Sequence, residues 1–283
     1  PFHSLSFSIT NHLINFKIVL SYNEKKKNEN EKSEEYQLTM ASLQKRMVFQ
    51  VLPNPPNERT LTLSSTTKNG HFISIRPFIK PSNDEEKAFP FEWAFAGTSA
   101  SAKATKKDER TVGINFNFQF DTNVYLQIPN THRGEIKTLW KDWDSGCVEE
   151  TGKVYPFGPD GEAFSFLELW QPVDPTRDEF VILPNGSKSD INAKSIALSL
   201  KNDEFEGLII IVGKWCQGIL FKKNDGTVKG INFIRAIQRE NGKWETLLKF
   251  GPDFDKFPSE FHAKEGSTVV SGGVSWEVIE SNL

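Results

Sequence analysis

Apolar and polar residues alternate along much of this chain with a period of two. Phe89, Phe91, Trp93 and Phe95 recur at every second position of Phe89–Ala96. Ile114, Phe116, Phe118 and Phe120 do the same against Asn115, Asn117 and Gln119. A strand with one buried and one solvated face imposes that period. Arg59–Ser65, His71–Lys80 and Phe164–Leu169 carry shorter versions, and Val124–Ile128 reads as a further short strand. Gly134–Trp143 fits two patterns: Ile136, Leu139, Trp140 and Trp143 share a helical face, whereas Ile136, Thr138 and Trp140 alternate. We read it as a strand.

The C-terminal part restarts the pattern with Ser195–Leu200, Gly207–Gly213, Lys214–Lys222, Thr227–Gln238, Lys243–Phe250, Ser267–Val270 and Val274–Ile279. Asn69-Gly70, Asn224-Asp225-Gly226, Asn241-Gly242 and Gly272-Gly273 supply hairpin turns between such segments. Many short strands at close spacing predict an antiparallel meander, either sandwich or barrel. Barrel closure would remove the exposed strand edges. Pro172-Val173-Asp174-Pro175 punctuates the chain and is read as a boundary between residues 40–174 and 175–283. Gly-Ile-Asn-Phe occurs at 113–116 and again at 230–233, an echo that suggests duplication.

The first 39 residues break from this pattern. Asn23–Glu35 is a mixed-charge, low-complexity run that cannot bury a core. Residues 1–39 are therefore expected to be a disordered tail or translated leader ahead of Met40. A net charge of -3 and a pI near 6.1 give no global attraction to nucleic acid. No apolar run approaches the roughly 20 residues of a membrane helix, so no membrane insertion is predicted. Cys147 and Cys216 belong to no metal-ligand spacing, and no phosphate-binding glycine motif is present. No metal or cofactor is therefore expected.

Candidate chemistry concentrates in Thr131–Glu150. Cys147 with His132 as base, oriented by Asp142 or Asp144, would make an enzyme if the fold brought them together. Asp142, Asp144, Glu149 and Glu150 contain enough carboxylates for acid–base work, but read better as the solvated face of strands flanking the turn Asp144-Ser145-Gly146. Trp140, Trp143 and Trp93 can line a ligand cavity or an interface, because rings give large contact area at low entropic cost. Ordinary barrel core accounts for them more simply. Arg133 could position an anion. Trp140, Trp143, Asp144, Trp93 and Arg133 are thus the candidate interaction or ligand residues, and no catalytic residue is assigned.

The segments PNERTLTLSS, RPFIKPS, FPFEWAFAGT, DTNVYLQIPNTHRGE, WKDWDSGCVEETGKVYPFG, LWQPVDP, GINFIR and WEVIE resemble the fungal HRI family, yeast proteins named for interacting with a casein kinase I and distinct from the haem-regulated kinase. The resemblance runs from about Met40 to the C-terminus. It implies two consecutive antiparallel β-barrels of lipocalin-like (calycin-like) topology, a cytoplasmic and nuclear location, and a casein kinase I partner, with no catalytic residue to carry over. The function expected is a non-catalytic interaction module; a carrier of a small apolar ligand and an enzyme using Cys147 and His132 are the alternatives.

Overall fold

The structure is a computed structural model that describes residues 35–36, 41–132, 134–155, 157–158, 160–183, 193–261 and 264–282. Its first sheet is built from β1 (Glu35–Tyr36), β2 (Ser42–Val51), β3 (Leu63–Thr66), β4 (Phe72–Pro77), β5 (Phe91–Gly97), β6 (Ala102–Lys106), β7 (Thr111–Phe116), β8 (Phe120–Asp121), β9 (Ile136–Asp142), β10 (Val148–Val154) and β11 (Phe164–Val173). Two short helices, α1 (Asp84–Ala88) and α2 (Thr122–Tyr125), lie in its connections. The strands pair in the order β1-β6-β7-β9-β10-β11-β2-β3-β4-β5-β8, all antiparallel.

The two ends of that order belong to one hairpin. β5 and β6 are a single strand interrupted by one 3-10 turn, and β7 and β8 are a single strand interrupted at 117–119. Ala102 pairs with Phe116 and Ala96 with Phe120. Between these pairs Asn117 donates to the Ser101 carbonyl at 2.8 Å and Gln119 to the Ala96 carbonyl at 3.0 Å. Because β7 also pairs with β9 on its other edge, the sheet closes into a ring of about eight strands. Closure removes most of the open edge, as the alternating pattern led us to expect, and among the described residues only the short β1 and β8 keep an unpaired side.

The second sheet contains β12 (Ser195–Lys201), β13 (Phe205–Val212), β14 (Trp215–Lys222), β15 (Ile231–Gln238), β16 (Trp244–Phe250), β17 (Thr268–Ser271) and β18 (Val274–Asn282), in the order β16-β15-β14-β13-β12-β18-β17. It curls but does not close: among the described residues β16 and β17 share no pairing. Phe257 and Phe261, from the connection between these two edge strands, are buried in the hollow with Ile209, Leu220, Ile234 and Trp276. The expected second barrel is therefore a half-barrel plugged by its own chain.

The outer face of this half-barrel lies against the outer face of the ring. Leu208, Ile210, Ile219, Phe221, Ile231 and Phe233 share one cluster with Ile73, Ile75, Phe91, Ala94, Ala96 and Phe120. β13 is thus covered on both sides, which is why Leu208–Val212 is continuously apolar instead of alternating. Polar groups fasten the same interface. Arg235 donates to the carbonyls of Leu61 at 3.1 Å and Ile75 at 2.9 Å, and to Gln217 Oε1. With no carboxylate beside it among the described residues, burial pushes its pKa down to about 9. Glu280 accepts from Ser195 Oγ at 2.8 Å and from the Asn69 backbone at 3.3 Å.

Three sequence expectations change. Val124–Ile128 is not a strand: Asp121 accepts from the backbones of Asn123 and Val124 and so caps α2. Phe120 does not share a face with Ile114, Phe116 and Phe118, because the interruption at 117–119 turns it toward the second sheet. Counted from the strand pair that joins first to last (β2–β11 and β12–β18), Gly-Ile-Asn-Phe falls on the fifth strand of the ring but the fourth of the half-barrel, so the echo does not mark equivalent positions. The expectation for residues 1–39 lies almost wholly outside the described residues, except that Glu35–Tyr36 pair with Thr105 and Ala104.

Candidate functional site: a buried ion cluster in the first barrel

Inward-facing positions of the ring carry charge as well as rings. β2 contributes Arg46, β4 Arg76, β5 Glu92, β10 Glu150 and β11 Glu168, and the β2–β3 connection adds Glu58 and Thr60. Two bulges make this assembly possible. At the first, Trp170 pairs with Arg46 and Leu169 with Val48, leaving Met47 as an extra, exposed residue. At the second, Arg76 pairs with Trp93 and Pro77 with Phe91, leaving Glu92 unpaired and able to reach the interior.

Arg46 is the hub. Its Nη1 donates to Glu168 Oε1 at 2.7 Å, its Nε to Glu58 Oε2 at 2.7 Å, and its Nη2 to Glu92 Oε2 at 2.8 Å and Thr60 Oγ1 at 3.1 Å. Arg76 binds both oxygens of Glu168, at 2.7 and 3.3 Å, and lies over the rings of Trp93 and Phe95. Burial alone would lower the Arg46 pKa, but the charges of Glu168, Glu92 and Glu58 outweigh it and hold it above the usual value. Glu58 is held below its usual value against its own burial, chiefly by the hydrogen bond from Arg46. Glu150 behaves oppositely. Burial and then the adjacent Glu168 push it well above the carboxylate range, and it accepts from Trp170 Nε1 at 3.0 Å. It therefore favours the neutral acid.

A buried carboxylate pushed up by a second one beside it is a pattern found in acid–base catalysts. Here both oxygens of Glu168 are taken by arginines, so neither faces a free approach. Ser74 Oγ and Arg76 Nε, also buried, have no protein hydrogen-bond partner among the described residues. The interior is thus a mixed polar space and a poor match for an apolar guest.

The residues singled out by sequence do not converge. Trp140 faces inward, stacked on Trp170 at 6.0 Å with Nε1 donating to Thr138. Trp93 also faces inward, its Nε1 donating to Asp121 at 2.9 Å. Trp143 and Asp144 lie outside, in the β9–β10 connection: Trp143 Nε1 donates to Glu149 at 3.1 Å and Asp144 pairs with Arg110 at 2.6 Å. Arg133 lies outside the described residues. Cys147 and His132 flank opposite ends of β9, whose seven residues span roughly 20 Å at about 3.3 Å each. His132 Nε2 sits 3.1 Å from the Glu135 carbonyl and its ring stacks on Tyr155. The two groups cannot form a nucleophile–base pair in this fold. Glu150, grouped by sequence with a solvated face, is instead buried. The strand alternation that puts Glu149 outside puts Glu150 inside, and that was the available signal.

The family model described as Protein HRI1 matches residues 42–280. The chain belongs to the HRI1 family. Protein HRI1 of Saccharomyces cerevisiae strain S288c is 56% identical over 243 residues, which cover 85% of this chain and 99% of that protein. Protein HRI1 of strain YJM789 is 55% identical over the same shares. Among solved structures, the crystal structure of the uncharacterised S. cerevisiae protein YLR301w superposes with a TM-score of 0.83 at 54% identity, covering 86% of this chain and all of that one. The double-sheet architecture is therefore shared with that protein.

Proposed function

We propose that this HRI1 family member is a non-catalytic interaction protein whose partner is a casein kinase I, met in the cytoplasm and nucleus. The observation that supports this reading is the occupancy of both interiors. Trp276, Phe257 and Phe261 fill the half-barrel, and the Arg46–Glu168–Arg76 cluster spans the ring. What such a molecule offers to others is its outside. A carrier of an apolar ligand draws no comparable support, since no observation favours it. The test is direct binding of the purified chain to purified casein kinase I by interferometry. Saturable binding is expected; no binding at about 100 µM, an affinity too weak for a working complex, would discard the reading.

A further inference from the structure

Among the described residues of 41–174, four of the seven large exposed apolar side chains share one end of the ring; Met47, Leu139 and Trp143 lie elsewhere. Successive strands of the ring reverse direction, so alternate connections share an end. Connections 52–62, 78–90, 122–135 and 155–163 emerge at one end, and 67–71, 107–110 and 143–147 at the other. Each of the first four presents one large exposed apolar residue: Leu52 (43% exposed), Ile79 (70%), Ile128 (45%) and Phe157 (67%). The second sheet takes the flank at β4 and β5, the turn at 67–71 and the near side of two of these connections, where Phe89 packs on Phe233 and Phe250 and Tyr125 on Phe221; Leu52, Ile79, Ile128 and Phe157 stay exposed beside it.

These residues are held in place. The Leu52 backbone donates to Ser165 at 2.8 Å, Ile79 to Arg59 at 2.9 Å and Ile128 to Asn123 at 2.9 Å, and the Phe157 ring lies 6.1 Å from Phe164. Apolar tips on anchored backbone lose little entropy on binding. The charge around them selects the partner. Apart from Glu58, whose carboxylate joins the buried cluster, the described residues of the four connections carry six carboxylates and three basic residues, a net of -3. An acidic surround disfavours an anionic bilayer and complements lysines and arginines.

We infer that this end of the first barrel is a preformed docking surface for a protein that presents an apolar pocket bordered by basic residues. That protein is the kinase, so the inference rests on the function proposed above. Trp143 and Asp144 lie at the other end and take no part.

The experiment compares the wild type, the double variant I79S/F157S and W143S for binding to purified casein kinase I, with melting curves to verify the fold. All three substituted side chains are exposed, so unchanged melting is expected. A loss of tenfold or more in I79S/F157S with W143S unaffected supports the docking surface. Wild-type binding that I79S/F157S leaves intact overturns the surface while the kinase reading survives. Absence of wild-type binding removes both. Co-sedimentation of the wild type with phosphatidylserine vesicles, lost in I79S/F157S, would also overturn the inference, because it would replace the basic protein partner with a lipid surface.

Discussion

Glu149 and Glu150 are neighbours in sequence with opposite fates. Glu149 faces outward to Trp143 Nε1, and Glu150 is sealed in the ring beside Glu168. Because the folded state raises the Glu150 pKa above the ordinary 4.5, the stability it contributes is complete below that value. It is lost as pH rises toward the folded pKa. Glu150→Gln keeps an acceptor for Trp170 and removes the titration. The difference in urea midpoint between variant and wild type is therefore expected to grow in the variant's favour from pH 5 to pH 8. A difference independent of pH would show that Glu150 is ionised in the folded protein. Reading inward positions as apolar passes over this cluster, and only the alternation at Glu149 and Glu150 hinted at it. That reading did register the rings that surround the cluster, such as Trp93 and Phe95.

At the scale of elements, strands were legible and their faces only partly so. Period two identified β5, β7 and β9, but the bulges at Met47 and Glu92 and the break at 117–119 each shift a side chain to the other face. A single extra residue has that effect in a sheet. α2 was read as a strand because Val124 and Leu126 alternate, and Asp121 decides against it by capping. Asp121→Ala removes both that cap and the acceptor of Trp93 Nε1. The expected cost is about 1–2 kcal/mol, measurable as a lowered urea midpoint with unchanged slope. No measurable loss would show that α2 is set by its packing of Tyr125 on Phe221 rather than by its cap.

Considered whole, the chain is two sheets with a common apolar layer. We propose 40–174 and 175–283 as its units, yet the layer that joins them makes neither self-sufficient. Expressed alone, 40–174 would expose Ile73, Ile75, Ala94 and Ala96 as a flat apolar flank of the kind that promotes association. It is expected to bind a hydrophobic dye and to self-associate, whereas the full chain unfolds in one transition. A monomeric, dye-silent 40–174 fragment would show that the joint layer is not needed for folding.

The ring also imposes an order of events during synthesis. Leu43 must find Val173 to complete it, a pairing between distant residues that is slow to form. Its flank then waits for Phe233 to be made, ~60 residues later, or about 3–12 s at ordinary elongation rates. During that interval the nascent chain carries a finished barrel with a bare greasy side. The yield of active protein therefore depends on how fast the ribosome traverses the stretch after Val173, and on what holds the chain meanwhile.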